Sequence, residues 1–204
     1  MTGKLKTILL FGPPGCGKGT QGKTLGTLPG FRHVSSGDLF RALDRASELG
    51  KIFTEYSSKG LLVPDDFTVR LWRDHMDKLI AAGKLDAAAD VVILDGIPRN
   101  VRQAEMLQEN VAVQKIVVMS IERDAEYVVQ RLKLRAQKEN RADDAKVEVI
   151  RRRMDVYQNE TAPMLAFYPK DVQVTVDAIQ TPLEVAHDIL SGVLGRTQEL
   201  HPIR

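Results

Sequence analysis

Short apolar runs and longer helical stretches alternate along the chain. The runs Thr7–Phe11, His33–Ser35, Val91–Asp95, Ile116–Ser120 and Val172–Asp177 are rich in β-branched and other aliphatic residues. Such runs are expected of strands buried on both faces. Between them, Lys18–Leu28, Gly37–Ala46, Glu48–Lys59, Asp65–Ala82, Asp124–Lys138, Asp143–Phe167 and Thr181–Leu194 read as helices. Thr181 is a fitting N-cap for the last of these, with Pro182 at the first helical position. Strands alternating with helices predict an α/β fold with three layers, a five-stranded parallel sheet between helices. The gaps 36–90 and 121–171 hold more helix than one crossover needs. The extra helices should project from the carboxyl edge of the sheet, where open α/β sheets bind ligands. They read as two covers on one core.

Composition narrows the class. A chain of 204 residues, 43% hydrophobic and 27% charged, is ordinary globular material and reads as one domain, 1–204. Lys plus Arg number 29 against 27 Asp plus Glu, a net charge of +2. That balance argues against a nucleic-acid coat or a polybasic membrane binder. One cysteine excludes an internal disulfide and a Cys-rich zinc site, and His33, His75, His187 and His201 show no ligand spacing. No apolar run has the length of a membrane span, and the run after the N-terminus is too short for a signal-peptide core. A cytoplasmic enzyme is expected. The absence of heptads or repeats makes a monomer the default.

The strongest local signal is Gly12-Pro13-Pro14-Gly15-Cys16-Gly17-Lys18-Gly19-Thr20, which follows a strand-like run and precedes a helix. That is the context of a phosphate-binding loop. Glycines let successive N–H groups face one anion, and the helix adds its N-terminal partial positive charge. Gly15, Cys16, Gly17, Lys18, Gly19 and Thr20 are the candidate contacts, with Lys18 carrying the full charge. Gly19 stands where the generic motif has Ser or Thr, so Thr20 would supply the hydroxyl on the Mg²⁺ side. Cys16 reads as a small loop residue.

Three further segments narrow the reading: Ser35-Ser36-Gly37-Asp38-Leu39-Phe40-Arg41, Asp95-Gly96-Ile97-Pro98-Arg99, and the arginines 131, 135, 141 and 153. In this order and spacing the chain resembles the nucleoside monophosphate kinases, and among them the adenylate kinase family, from Thr7 to about Leu194. The resemblance implies transfer of the ATP γ-phosphoryl to AMP, giving two ADP. Such transfer asks the protein for positioning, charge neutralisation and exclusion of water. Arginine, always charged and bidentate, suits it. Residues 123–153 hold 10 Lys/Arg and 6 Asp/Glu, so positive charge is concentrated there.

The resemblance assigns the covers to 35–63, which binds the monophosphate, and 134–147, a short lid. It places Ser36 and Arg41 on the AMP phosphate. Leu61, Leu62 and Val63 would line the adenine pocket, with Leu61 standing where bacterial relatives commonly carry Lys. Asp95 would hold water on Mg²⁺. Gly96, Ile97 and Pro98 form the turn that aims Arg99 at the acceptor, Ile97 replacing the family's usual Phe. Gln103 would read the adenine edge, having a donor and an acceptor to offer. Arg131 and Arg135, spaced i, i+4 on one helix face, would reach the transferring phosphoryl and ATP. Arg141 and Arg153 would converge from the far side of the lid. Spacing from Arg141 favours Arg152 for the last role, and the downstream Tyr157 and Pro163 favour Arg153, which is preferred. Gln180 would lie near the ATP adenine. Only five residues separate Arg135 from Arg141, which resembles the short-lid form without structural zinc.

Two rival classes are weaker. Relatives acting on UMP or CMP usually carry Ala at the Ser36 position and Asn at the Gln103 position. A P-loop switch such as a GTPase needs an Asn-Lys-x-Asp segment after an inner strand, which Ile121-Glu122-Arg123-Asp124 does not supply. Aromatic residues make up only 5% and do not interleave the arginines, which disfavours a nucleic-acid partner.

Overall fold

In the computed structural model, residues 3–121, 125–139 and 146–195 are described. Five strands, β1 (Leu5–Phe11), β2 (Phe31–Ser35), β3 (Val91–Asp95), β4 (Val111–Ser120) and β5 (Gln173–Asp177), form one parallel sheet in the order β2-β3-β1-β4-β5. The helices are α1 (Lys18–Leu25), α2 (Ser36–Arg41), α3 (Glu48–Ser58), α4 (Asp65–Ala81), α5 (Val101–Leu107), α6 (Ala125–Glu139), α7 (Val147–Val156) and α8 (Pro182–Leu194). None among the described residues is long and apolar enough to cross a membrane.

The strand sequences follow their places in the sheet. β1 is flanked on both sides and is apolar almost throughout, whereas the edge strands β2 and β5 keep Arg32 and Thr175 exposed. On one face, Trp72 and Met76 of α4, Leu107 of α5 and Met164 pack against Leu9, Val92 and Ile116. On the other, Leu25 of α1 and Val185 and Ile189 of α8 pack against Leu10, Ile93 and Val117. Val128, Val129 and Leu132 of α6 form a smaller cluster with Ile150 of α7.

Several boundaries differ from expectation for local reasons. β4 begins five residues before the predicted Ile116, because Val111–Val113 pair with Leu5–Thr7 before a bulge between Thr7 and Ile8. Gln114 and Lys115 at that bulge hide the strand from a hydrophobicity reading. α2 stops at Arg41 because Asp44 accepts the Ala46 N–H at 2.9 Å and Ser47 caps α3, accepting from Gly50 N at 3.1 Å. Within the helix expected over 143–167, residues 143–145 lie outside the described residues and α7 covers Val147–Val156. The chain then runs as a π turn (Tyr157–Thr161) and a 3₁₀ segment (Ala162–Phe167) around Pro163, which has no N–H to give. α5 had no sequence forecast. Its seven residues start where Asn100 Oδ1 accepts from Gln103 N at 2.8 Å.

α8 carries a full capping box. Thr181 Oγ1 accepts from Glu184 N, and Glu184 Oε2 accepts from Thr181 N at 2.9 Å. Thr181→Ala should cost about 1 kcal/mol. In thermal denaturation that appears as a Tm lower by roughly 2–4 °C for a chain of this size, with activity at 25 °C unchanged.

The register positions the site. Leu10, Asp95 and Ser35 stand at one level across β1, β3 and β2. The loop after β1, the turn after β3 and the start of α2 therefore open side by side at the carboxyl edge, at the point where strand order reverses.

Candidate active site

β1 delivers the chain to Gly12, whose φ is +146° and where an added Cβ would stand 2.4 Å from the Met119 carbonyl oxygen on β4. Only glycine passes there. The loop then curls over Gly15 to Gly17, and α1 begins at Lys18 with no side-chain cap. Its first N–H groups are open toward the cleft, as an anion site requires. Lys18 Nζ donates to the carbonyls of Gly12 at 2.6 Å and Pro13 at 3.0 Å. These bonds lay the ammonium across the loop.

One carbonyl gathers the next two elements. Gly96 O accepts from Ser36 Oγ at 2.6 Å and from Arg99 Nε at 2.9 Å. Gly96 has φ +74°, and a Cβ there would lie 2.9 Å from both Ser36 Oγ and an Arg99 nitrogen. The Ser36 hydroxyl proton is thus committed to Gly96. Arg99 is held twice, since its backbone N–H also donates to Gln103 Oε1 at 2.8 Å. Gln103 is 1% exposed, and its Nε2 donates to Asp65 Oδ1 at 2.8 Å. Arg41 pairs with Asp38 and lies over Gly37.

Asp95 ends β3, nearly buried, with Oδ2 3.7 Å from His33 Nε2. That exceeds hydrogen-bond length, and His33 Nε2 has no hydrogen-bond partner. Burial opposes the Asp95 charge, but the His33 ring, Lys18 and Arg99 together outweigh it and hold the carboxyl below its ordinary range. Asp95 is therefore ionised at neutral pH. A Cβ at Gly19 would meet Asp95 Oδ2 at 3.6 Å, so the carboxylate faces the first turn of α1.

These elements enclose a cleft of about 770 Å³. Gly15, Gly17, Lys18, Gly19 and Thr20 line it from the phosphate loop, and Ser36 and Arg41 from α2. Leu61, Leu62 and Val63 line it before α4, Asp95 at the end of β3, Gly96, Pro98 and Arg99 after it, and Gln103 on α5. Arg131 and Arg135 of α6 and Arg153 of α7 close the far wall. Arg153 faces the cleft and Arg152 is not among its lining residues. Arg131 is steadied by Tyr127, whose hydroxyl accepts from Nη1 at 3.2 Å.

Three residues assigned to the site do not present their side chains to the cleft. Cys16 is 1% exposed and packs into the core beside Met119, although its backbone belongs to the loop. Ile97 is 2% exposed in the opposite core cluster, so this apolar residue supports the turn from behind. Gln180 turns away from the cleft, Nε2 donating to Asp188 Oδ2 at 2.9 Å. Arg141 lies outside the described residues. Sequence reasoning passed over His33, which has no motif spacing, and over Tyr157, a cleft residue whose phenol burial and then the nearby Cys16 push up to about 12. It also passed over Asp65, read only as a helix start.

A family model described as adenylate kinase matches residues 10–173. The chain belongs to the adenylate kinase family. The matched span runs from the last two residues of β1 to the start of β5, so it includes every cleft element above. Among similar curated proteins, the adenylate kinase of Thermobifida fusca is 39% identical over 194 residues, covering 93% of this chain and 98% of that one. The adenylate kinase of a Cyanothece strain is 38% identical, covering 89% and 92%. That of Porphyromonas gingivalis is 41% identical over 167 residues, covering 80% and 82%.

Proposed function

We propose that the cleft holds ATP and AMP end to end, with the phosphate loop on the donor side and the α2–α4 side on the acceptor. As a member of the adenylate kinase family, the chain is an ATP:AMP phosphotransferase. The observation that carries the site assignment is the convergence on one cleft of Lys18 with Arg41, Arg99, Arg131, Arg135 and Arg153, delivered by α1, α2, the turn after β3, α6 and α7. Two polyphosphates brought together need that density of cations.

On the donor side, the loop N–H groups of Gly15 to Thr20 and Lys18 take the ATP phosphates, Arg131 and Arg135 cover them, and the backbone near Gln180 borders the adenine. On the acceptor side, Arg41, Arg99, Arg141 and Arg153 hold the AMP phosphate. Leu61 to Val63 and Gln103 enclose its base. Ser36, with its proton on Gly96 O, aligns the Gly96–Arg99 turn. An AMP phosphate oxygen attacks the γ-phosphorus in line, the bond to the β–γ bridging oxygen breaks, and ADP leaves on each side. No residue is phosphorylated. Thr20 and the ionised Asp95 are hard oxygen donors on one rim of the loop, a set that suits Mg²⁺ held through water. When bound, that ion would neutralise negative charge on the transferring phosphates.

Residues 35–63 and 134–147 act as the two covers. Their closure excludes water, since a site assembled before AMP arrives would hydrolyse ATP. A monomeric working unit is part of this reading. The substrates favour a cytoplasmic setting.

The test is a coupled assay with ATP and AMP, CMP, UMP or GMP. Rapid ADP formation with AMP, and little with the others, is expected. ATP hydrolysis without acceptor phosphorylation would overturn the reading.

A further inference from the structure

Adenine and the 6-oxopurines present opposite polarity on the same edge. Adenine offers an N6 donor beside an N1 acceptor. Hypoxanthine offers an O6 acceptor beside an N1–H donor. A glutamine amide can satisfy either by rotating half a turn about its last bond, so a freely turning Gln103 would read neither. Resting on the reading that Gln103 faces the acceptor base, the question becomes what prevents that rotation.

The structure assigns this to Asp65: we propose that it is a specificity-determining positioning residue that locks the polarity of the Gln103 amide and so selects adenine over 6-oxopurines. Its Oδ1 accepts from Gln103 Nε2 at 2.8 Å and from Asn100 Nδ2 at 3.0 Å. Asn100 cannot reverse, because its Oδ1 accepts from Gln103 N at 2.8 Å as the cap of α5. Gln103 Oε1 accepts from Arg99 N at 2.8 Å. Turning the Gln103 amide would set its NH₂ against the Arg99 N–H and its carbonyl against the Asp65 carboxylate. Both contacts would be repulsive in a site only 1% exposed at Gln103. In the locked orientation one Nε2 hydrogen and one Oε1 lone pair remain, a donor and an acceptor in fixed order. Asp65 stands two residues after Val63 at the first turn of α4. The same carboxylate thus ties the segment bordering the base to the turn carrying Arg99. Arg102 lies near its outer oxygen, Nε to Oδ2 3.8 Å, on the exposed side.

The test compares kcat/KM for AMP with that for inosine monophosphate, which differs from AMP at this edge alone. Asp65→Ala should lower the AMP preference about tenfold, the scale of one hydrogen bond to a charged group. Asp65→Asn keeps an oxygen able to accept both amides and should keep the wild-type ratio. Gln103→Ala serves as the control. If Gln103→Ala leaves the preference intact, the base-reading role of Gln103 fails and this inference with it. If Gln103→Ala erodes the preference and Asp65→Ala does not, only the Asp65 inference is overturned. Equal losses for both nucleotides in Asp65→Ala, with the ratio unchanged, would mark Asp65 as structural and overturn it as well. So would an Asp65→Asn ratio as low as that of Asp65→Ala.

Discussion

Lys18→Met lowers kcat at least about 10²-fold while the fold persists, because preorganised charge at a transferring phosphoryl is worth a few kcal/mol. Methionine keeps the apolar stem, so packing changes little. What disappears is the ammonium that Gly12 O and Pro13 O hold across the loop at 2.6 and 3.0 Å. Those carbonyls orient the charge before any ligand arrives, so little reorganisation is needed when phosphate oxygens replace them. The loss should fall on kcat more than on the KM for ATP, since the loop N–H groups still bind phosphate. Steady-state kinetics in parallel with a thermal melt decides it. Turnover near that of the parent would remove Lys18 from the chemistry.

Arg99→Ala should cost a similar factor of at least about 10² in kcat and should also raise the KM for AMP. Arg99 is held at two points, its Nε on Gly96 O at 2.9 Å and its N–H on Gln103 Oε1 at 2.8 Å. The Nε bond sets the plane of the guanidinium and directs its terminal nitrogens. Lysine has no such fork, so Arg99→Lys should recover little of the rate. Full recovery by lysine would mean that charge alone matters there. Lys18 and Arg99 both help to keep Asp95 ionised. Either substitution moves the Asp95 carboxyl upward toward its ordinary range, which still leaves it charged at neutral pH.

The elements proposed to bind phosphate were legible because their chemistry is local. A glycine loop between strand and helix needs no distant partner to be recognised, and β1, α1 and β3 follow within a few residues of expectation. Elements set by tertiary contact were less legible. The first half of β4 exists because Leu5 and Lys6 pair with it, which no pattern in Val111–Lys115 announces. The break after Arg41 depends on side-chain bonds from Asp44 and Ser47. In the site, Gln103 was legible as an amide at the right spacing from Gly96, but its partners were not. Asp65 is 38 residues away, and only the packing of α4 on α5 joins them. His33 reaches Asp95 solely because β2 and β3 are neighbours in the sheet. Gln180 was read for a backbone contact with the adenine, and the bond of its side chain to Asp188 had no local signal.

Trp72 is the one tryptophan of the chain and is fully buried in α4, its indole nitrogen without a hydrogen-bond partner. It packs in the core and does not line the cleft. An indole in so dry a setting emits at short wavelength and shifts to the red when water reaches it. The protein therefore carries an optical gauge of its core, set apart from the cations of the cleft. A variant with slow turnover and native emission has lost chemistry, and one with red-shifted emission has lost its fold.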